Sequence, residues 1–141
     1  MNKGMDGFPL AQDTPDRALR IFQIKVFSET ANMTTGDNKF VFAVSEDLNS
    51  ATLVRAEAFV STSASSATVT VPVRNVTKGV DMLVVPITID ALEFTSYTAD
   101  VRSAVDYSNN TVETGDRIAI DVDVAGAGSR GLGVILTFQQ A

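Results

Sequence analysis

From Arg20 onward, apolar and polar residues alternate in short runs. In RIFQIKVF, Phe22, Ile24 and Val26 share one side and Gln23 and Lys25 the other. FVFAV groups Phe40, Phe42 and Val44, and ATLVRAEAFV sets Val54, Ala56, Ala58 and Val60 against Arg55 and Glu57. TVTVPVR and MLVVPITID repeat the pattern with Val69, Val71 and Val73, then Leu83, Val85, Ile87 and Ile89. A side-chain period of two belongs to a half-buried strand and conflicts with the period of an amphipathic helix. Turn-forming clusters separate the runs: TTGDNK, STSASSA, NVTKG and YSNNTVETGD. Pro72 and Pro86 fall inside runs, and because proline cannot donate to a ladder those strands are expected at an edge, at a strand end or with a bulge. With a short strand expected near 96–101, the count is about eight strands and no helix, the pattern of an antiparallel all-β sandwich or barrel.

The clearest stretch is DRIAIDVDVAGAGSRGLGVILTF, residues 116–138. Ile118, Ile120, Val122 and Val124 are expected inward, with Arg117, Asp121 and Asp123 outward; Leu132, Val134, Leu136 and Phe138 form the next inner face. Between them AGAGSRG has the glycine content of a phosphate loop. Phosphate binding needs a helix N-terminus directly after the glycines, and LGVILTF is a strand instead. The expectation is therefore a closing hairpin in which Gly126, Gly128 and Gly131 supply positive φ.

At 141 residues the chain is the size of one domain. Residues 1–18, with Gly4, Gly7, Pro9 and Pro15 and no sustained period, read as an extended N-terminal arm, and residues 19–141 as the sandwich. The N-terminus lacks the apolar stretch of a signal peptide, and synthesis in a cytoplasm is expected. No apolar run is long enough to span a bilayer.

There is no cysteine and no histidine, which removes disulfides, thiolate chemistry and the commonest general base and metal ligand. The formal charge of −6 comes without any basic cluster, so neither nucleic acid nor an anionic membrane is an expected partner. The serines of STSASSA have no base beside them, and no enzyme activity or cofactor is expected. Asp121 and Asp123 sit two apart on one strand, about 7 Å between side chains, a spacing open to Ca²⁺ ligation or glycoside hydrolysis. The plainer expectation for them is a solvated, charged sheet face. Tyr97 and Tyr107 are the candidate glycan platforms, because the chain has no Trp and its phenylalanines fall at inward positions. Arg130 at the hairpin tip, and Phe8, Pro9 and Leu10 in the arm, are candidate partner contacts. Sequons at Asn32, Asn75 and Asn109 are the kind that arise by chance in Thr-rich strands.

Five segments carry a resemblance: VRNVTKGVDML, PITIDALEFTS, the TGD that opens a strand, IDVDVAG and GLGVILTF. Residues 68–139 together resemble the jelly-roll module of tailed-bacteriophage virion proteins, found in tail fibres and small structural proteins. The resemblance implies a two-sheet jelly roll and a structural or adhesive role in a virion. Two readings follow. One is a capsid decoration protein, trimeric or otherwise oligomeric, whose arm lies across the major capsid protein or other virion subunits. The other is a receptor- or carbohydrate-binding head of a tail fibre or tail tip.

Overall fold

A computed structural model describes residues 18–141. Phe8, Pro9 and Leu10 lie outside the described residues. Eleven strands follow in order: β1 Leu19–Lys25, β2 Gly36–Ala43, β3 Thr52–Phe59, β4 Val69–Val71, β5 Val73–Asn75, β6 Val80–Asp81, β7 Leu83–Val85, β8 Ile87–Ile89, β9 Ala104–Val105, β10 Arg117–Val122 and β11 Gly133–Gln139. Every pairing is antiparallel. One sheet has the order β1-β11-β3 and the other β2-β10-β5-β6, with short pairs β4-β8 and β7-β9 beside them.

The alternation explains the layering. Ile24, Leu53, Ala56, Leu136 and Phe138 of the first sheet share one buried cluster with Val73, Ile118 and Ile120 of the second. Phe22 bridges the layers, stacked against Phe42 at 6.3 Å between centroids and edge-on to Phe138 at 5.9 Å. Burying each such side chain contributes about 1.5–3 kcal/mol, and here both sheets bury them against each other. The result is a β-sandwich.

Both prolines mark places where a strand changes partner. Val71 pairs with Ile87 across β4-β8, while Arg74 pairs with Asp81 across β5-β6. Pro72 separates β4 from β5, and on the opposite strand residues 83–86, ending in Pro86, leave that ladder so that β7 can pair with β9. Joined across these breaks, the eleven segments reduce to eight strands.

Three details differ from the sequence reading. β10 and β11 are not a hairpin: β10 lies between β2 and β5, and β11 between β1 and β3. Each strand already has two neighbours, so residues 123–132 cross from one sheet to the other, a longer path than the roughly 2–5 residues of a hairpin loop. The glycines do supply positive φ, at 75° for Gly126, where an added Cβ would meet Ala64 Cβ at 2.6 Å. In β3 the register shifts between Arg55 and Leu53, so Leu53 is fully buried and Val54 only partly. This is the signature of a bulge, which moves the inner face by one residue. Finally, Ser96–Thr98 forms a 3₁₀ turn, and the strand of this region lies later, at β9.

Gly133 has a packing role of its own. Lys25, Gly133 and Phe59 are in register across β1, β11 and β3. The Phe59 ring occupies the space a Cβ on Gly133 would need, and the Lys25 ammonium stands 5.2 Å from its centroid.

Candidate functional site

Two surface regions gather chemistry, at opposite edges of the first sheet. The first is built on β3. The pairing of β3 with β11 directs the backbone groups of alternate residues outward, and residues 94–110 satisfy them one after another. Phe94 O accepts from Val60 N at 2.9 Å, and Ser96 Oγ accepts from Ala58 N at 3.0 Å. Ser103 Oγ donates to Ala56 O at 2.7 Å. Asn110 closes the row: its carbonyl accepts from Leu53 N and its Nδ2 donates to Leu53 O, both at 2.9 Å.

Between β3 and the returning chain lies an open groove of about 310 Å³. Arg55, Glu57, Arg102, Ser103 and Tyr107 line it. Tyr97 stands beside it, on the 3₁₀ turn. Burial raises the Tyr97 hydroxyl above the ordinary tyrosine value, the Glu57 carboxylate raises it further, and Arg102 and Arg55 oppose the shift. Of the two tyrosines named from sequence, Tyr107 lines the groove and is 78 % exposed, while Tyr97 lies outside its lining. Arg55, Glu57, Arg102 and Ser103 were missed. Arg55 and Glu57 carried a signal, as outward residues of one strand; Arg102 carried none, because an irregular segment has no period.

The second region is the opposite edge. β1 ends one sheet and β2 ends the other, and neither has an outer neighbour among the described residues. Ala18 O accepts from Gln140 N, so even-numbered β1 residues face β11 and the backbone groups of Leu19, Ile21, Gln23 and Lys25 face outward. Phe22, Gln23, Ile24, Phe40 and Phe42 line a cleft of about 300 Å³ between these strands. Leu19, Ile21 and Val41 are exposed beside it, Ile21 by 61 %.

The two carboxylates do not share one solvated face. Asp121 is buried, which overturns its place on a solvated face, while Asp123 is exposed. The Asp121 carboxylate accepts from Arg74 Nε at 2.5 Å and Nη2 at 3.1 Å, and from the Asn38 backbone N–H at 2.8 Å. Three hydrogen bonds thus converge on this one buried carboxylate. The hydrogen bond to Asp121 raises the Arg74 pKa, against the effect of burial. Arg74 also donates to Asn38 Oδ1 at 2.7 Å, so one guanidinium ties β2, β5 and β10 together. Among the described residues no cluster of three or more acidic side chains could hold a metal.

Arg130 lies in the crossover rather than at a hairpin tip. Its backbone bridges to Asn32 and Thr62, and its Nε donates to Asn32 Oδ1 at 3.0 Å. It joins neither the groove nor the cleft. The sequon at Asn75 is closed by packing: its side chain is fully buried and donates to Asp116 at 2.9 Å. Comparison with protein-family models, with curated proteins and with solved structures finds no match to this chain.

Proposed function

We propose that the chain is a structural protein of a bacteriophage virion, a capsid decoration protein with a jelly-roll-type sandwich that acts without enzymatic chemistry. The observation that carries this reading is the open edge, where β1 and β2 flank an apolar cleft and lack outer neighbours among the described residues. A long edge strand with exposed Ile and Leu invites pairing with another chain, and soluble monomers usually cover or interrupt one. The occupant in this reading is an extended segment of a neighbouring virion subunit, added to β1 by backbone hydrogen bonds with apolar side chains in the cleft. Arg20 and Lys25 on the same strand keep the edge soluble before docking. The sequence carrying Phe8, Pro9 and Leu10 precedes β1, and in this reading it supplies a further contact with the major capsid protein or with a second copy in a trimer. Neither nucleic acid nor membrane is a partner in this reading.

The test is to add the purified full chain to shells assembled without it and image them by electron cryomicroscopy. Density on the outer shell with the β1 edge against a neighbour supports the proposal; no density on the shell overturns it. A specific observation favours a second reading, a carbohydrate-binding head of a tail fibre or tail tip: the groove that gathers Tyr107, with Tyr97 beside it. Labelling of tail tips instead of shells would select that reading.

A further inference from the structure

The groove between β3 and β9 has a composition that the docking edge does not use. It combines an aromatic face, two guanidinium groups, one carboxylate and one hydroxyl in about 310 Å³, at the lower end of the range of about 300–1,000 Å³ for small-ligand sites. Among the described residues neither Arg55 nor Arg102 is ion-paired. Arg102 makes one long hydrogen bond, 3.4 Å to the carbonyl of Tyr97. Among the described residues the ion-paired cations are Arg74, with Asp121, and Lys78, with Glu113 and Asp116 nearby. Two guanidiniums without an ion pair line the same groove, and a planar guanidinium can donate two parallel hydrogen bonds to a carboxylate.

The anion alone does not describe the site. Tyr107 presents an exposed ring on the groove wall, suited to the apolar C–H face of a sugar. Glu57 is a hydrogen-bond acceptor for ligand hydroxyls. The Ser103 hydroxyl already donates to Ala56 O, which leaves its oxygen as an acceptor. Because 94–110 is anchored to β3 at Val60, Ala58, Ala56 and Leu53, the two walls of the groove are held in place before any ligand arrives. Such preorganisation favours affinity.

We infer that this groove binds a carboxylated saccharide, a uronic- or sialic-acid unit whose carboxylate is held by Arg55 and Arg102, whose ring stacks on Tyr107 and whose hydroxyls donate to Glu57. The inference is independent of the docking edge, since it uses different strands and different residues.

The experiment uses the full chain and an immobilised panel of oligosaccharides ending in galacturonic acid or in N-acetylneuraminic acid. Each is paired with the same glycan carboxyl-reduced to the alcohol. The expected result is binding to one acid series, which names the source, with loss of binding to its reduced partners. Arg102→Ala and Arg55→Ala should each weaken binding roughly tenfold or more, the range of a charge-assisted hydrogen bond. Tyr107→Ala should weaken it about two- to tenfold, while Tyr107→Phe keeps the ring and the affinity. Unchanged thermal unfolding of these surface variants shows that the losses are local. Equal binding to acid and reduced glycans, silence across the whole panel, or full affinity in Arg102→Ala would overturn the inference. Shell binding by the same variants separates this outcome from the docking proposal, which requires it to be unchanged.

Discussion

The two outer edges of the sandwich follow opposite solutions to one problem. At β3 the outward backbone groups are met by Phe94, Ser96, Ser103 and Asn110, so that edge is finished within the chain. At β1 and β2 the edge strands run seven and eight residues without an outer neighbour among the described residues. The closed edge uses polar side chains from an irregular segment. The open edge presents Ile21, Leu19 and Val41 beside a cleft lined largely by phenylalanine. Among the described residues one edge is covered and the other is not, and the proposed docking on a virion subunit turns on that difference.

The largest effect is expected where the open edge is held from within. Among the described residues β2 has one neighbouring strand, and the Arg74 guanidinium fastens it by joining Asn38 to Asp121. Arg74→Ala leaves the Asp121 carboxylate, only 3 % exposed, without its cation. Breaking a buried pair costs about 3–5 kcal/mol, and because Arg74 is partly exposed the expected loss is about 2–3 kcal/mol in urea unfolding. A loss below about 0.5 kcal/mol, typical of an ordinary surface substitution, would mean that β2 is held by its ladder alone.

At the closed edge, Ser96→Ala leaves Ala58 N without its acceptor, and Asn110→Ala leaves Leu53 O without its donor. Each should cost about 1–3 kcal/mol, the penalty of an orphaned buried polar group. Amide exchange at Ala58 should quicken in Ser96→Ala alone. If both variants are as stable as the parent, the closure of β3 is ornamental and the contrast between the edges collapses.

Tyr97 reports on the same closed edge. Its raised pKa means that the folded protein holds the phenolic proton more tightly than the unfolded chain does. That contribution is complete below the ordinary tyrosine value of about 10 and is lost as pH rises through the higher folded value. In a Tyr107→Phe background Tyr97 is the only tyrosine, so its ionisation can be followed by ultraviolet absorbance. The midpoint should lie above the ordinary value, and Glu57→Gln should lower it partway, because burial is the larger cause. An unmoved midpoint would place Glu57 away from the hydroxyl.

The smallest effect on stability belongs to Ile21→Lys on the open edge, within about 0.5 kcal/mol because the side chain is already in solvent. The same change should abolish shell binding. Retained binding would remove β1 from the docking surface.

The sandwich was legible because burial at every second residue leaves a period in the sequence, and Leu132, Val134, Leu136 and Phe138 are all fully buried as that period requires. The prolines were legible for the same physical reason, the missing donor. Pairing was not. A glycine-rich connection looks alike whether it returns a strand beside its neighbour or carries it to the other sheet, so AGAGSRG read as a hairpin. The fate of Asp121 was hidden too, since nothing local reveals that Arg74, 47 residues earlier, will lie across it. Tyr97 and Tyr107 were singled out by the scarcity of large aromatics. Their arginine neighbours became visible only when β3 and the 94–110 segment were set side by side.

The contrast between the edges is tested most directly by residue-resolved amide hydrogen exchange on the free protein and on the protein bound to shells. The amides of Leu53, Ala58 and Val60 should exchange slowly in both states. Those of Ile21, Gln23 and Val41, which face outward from β1 and β2, should exchange fast in the free protein and become slow on the shell. Fast exchange at Ile21, Gln23 and Val41 in both states, or slow exchange already in the free protein, would contradict an open edge completed by assembly.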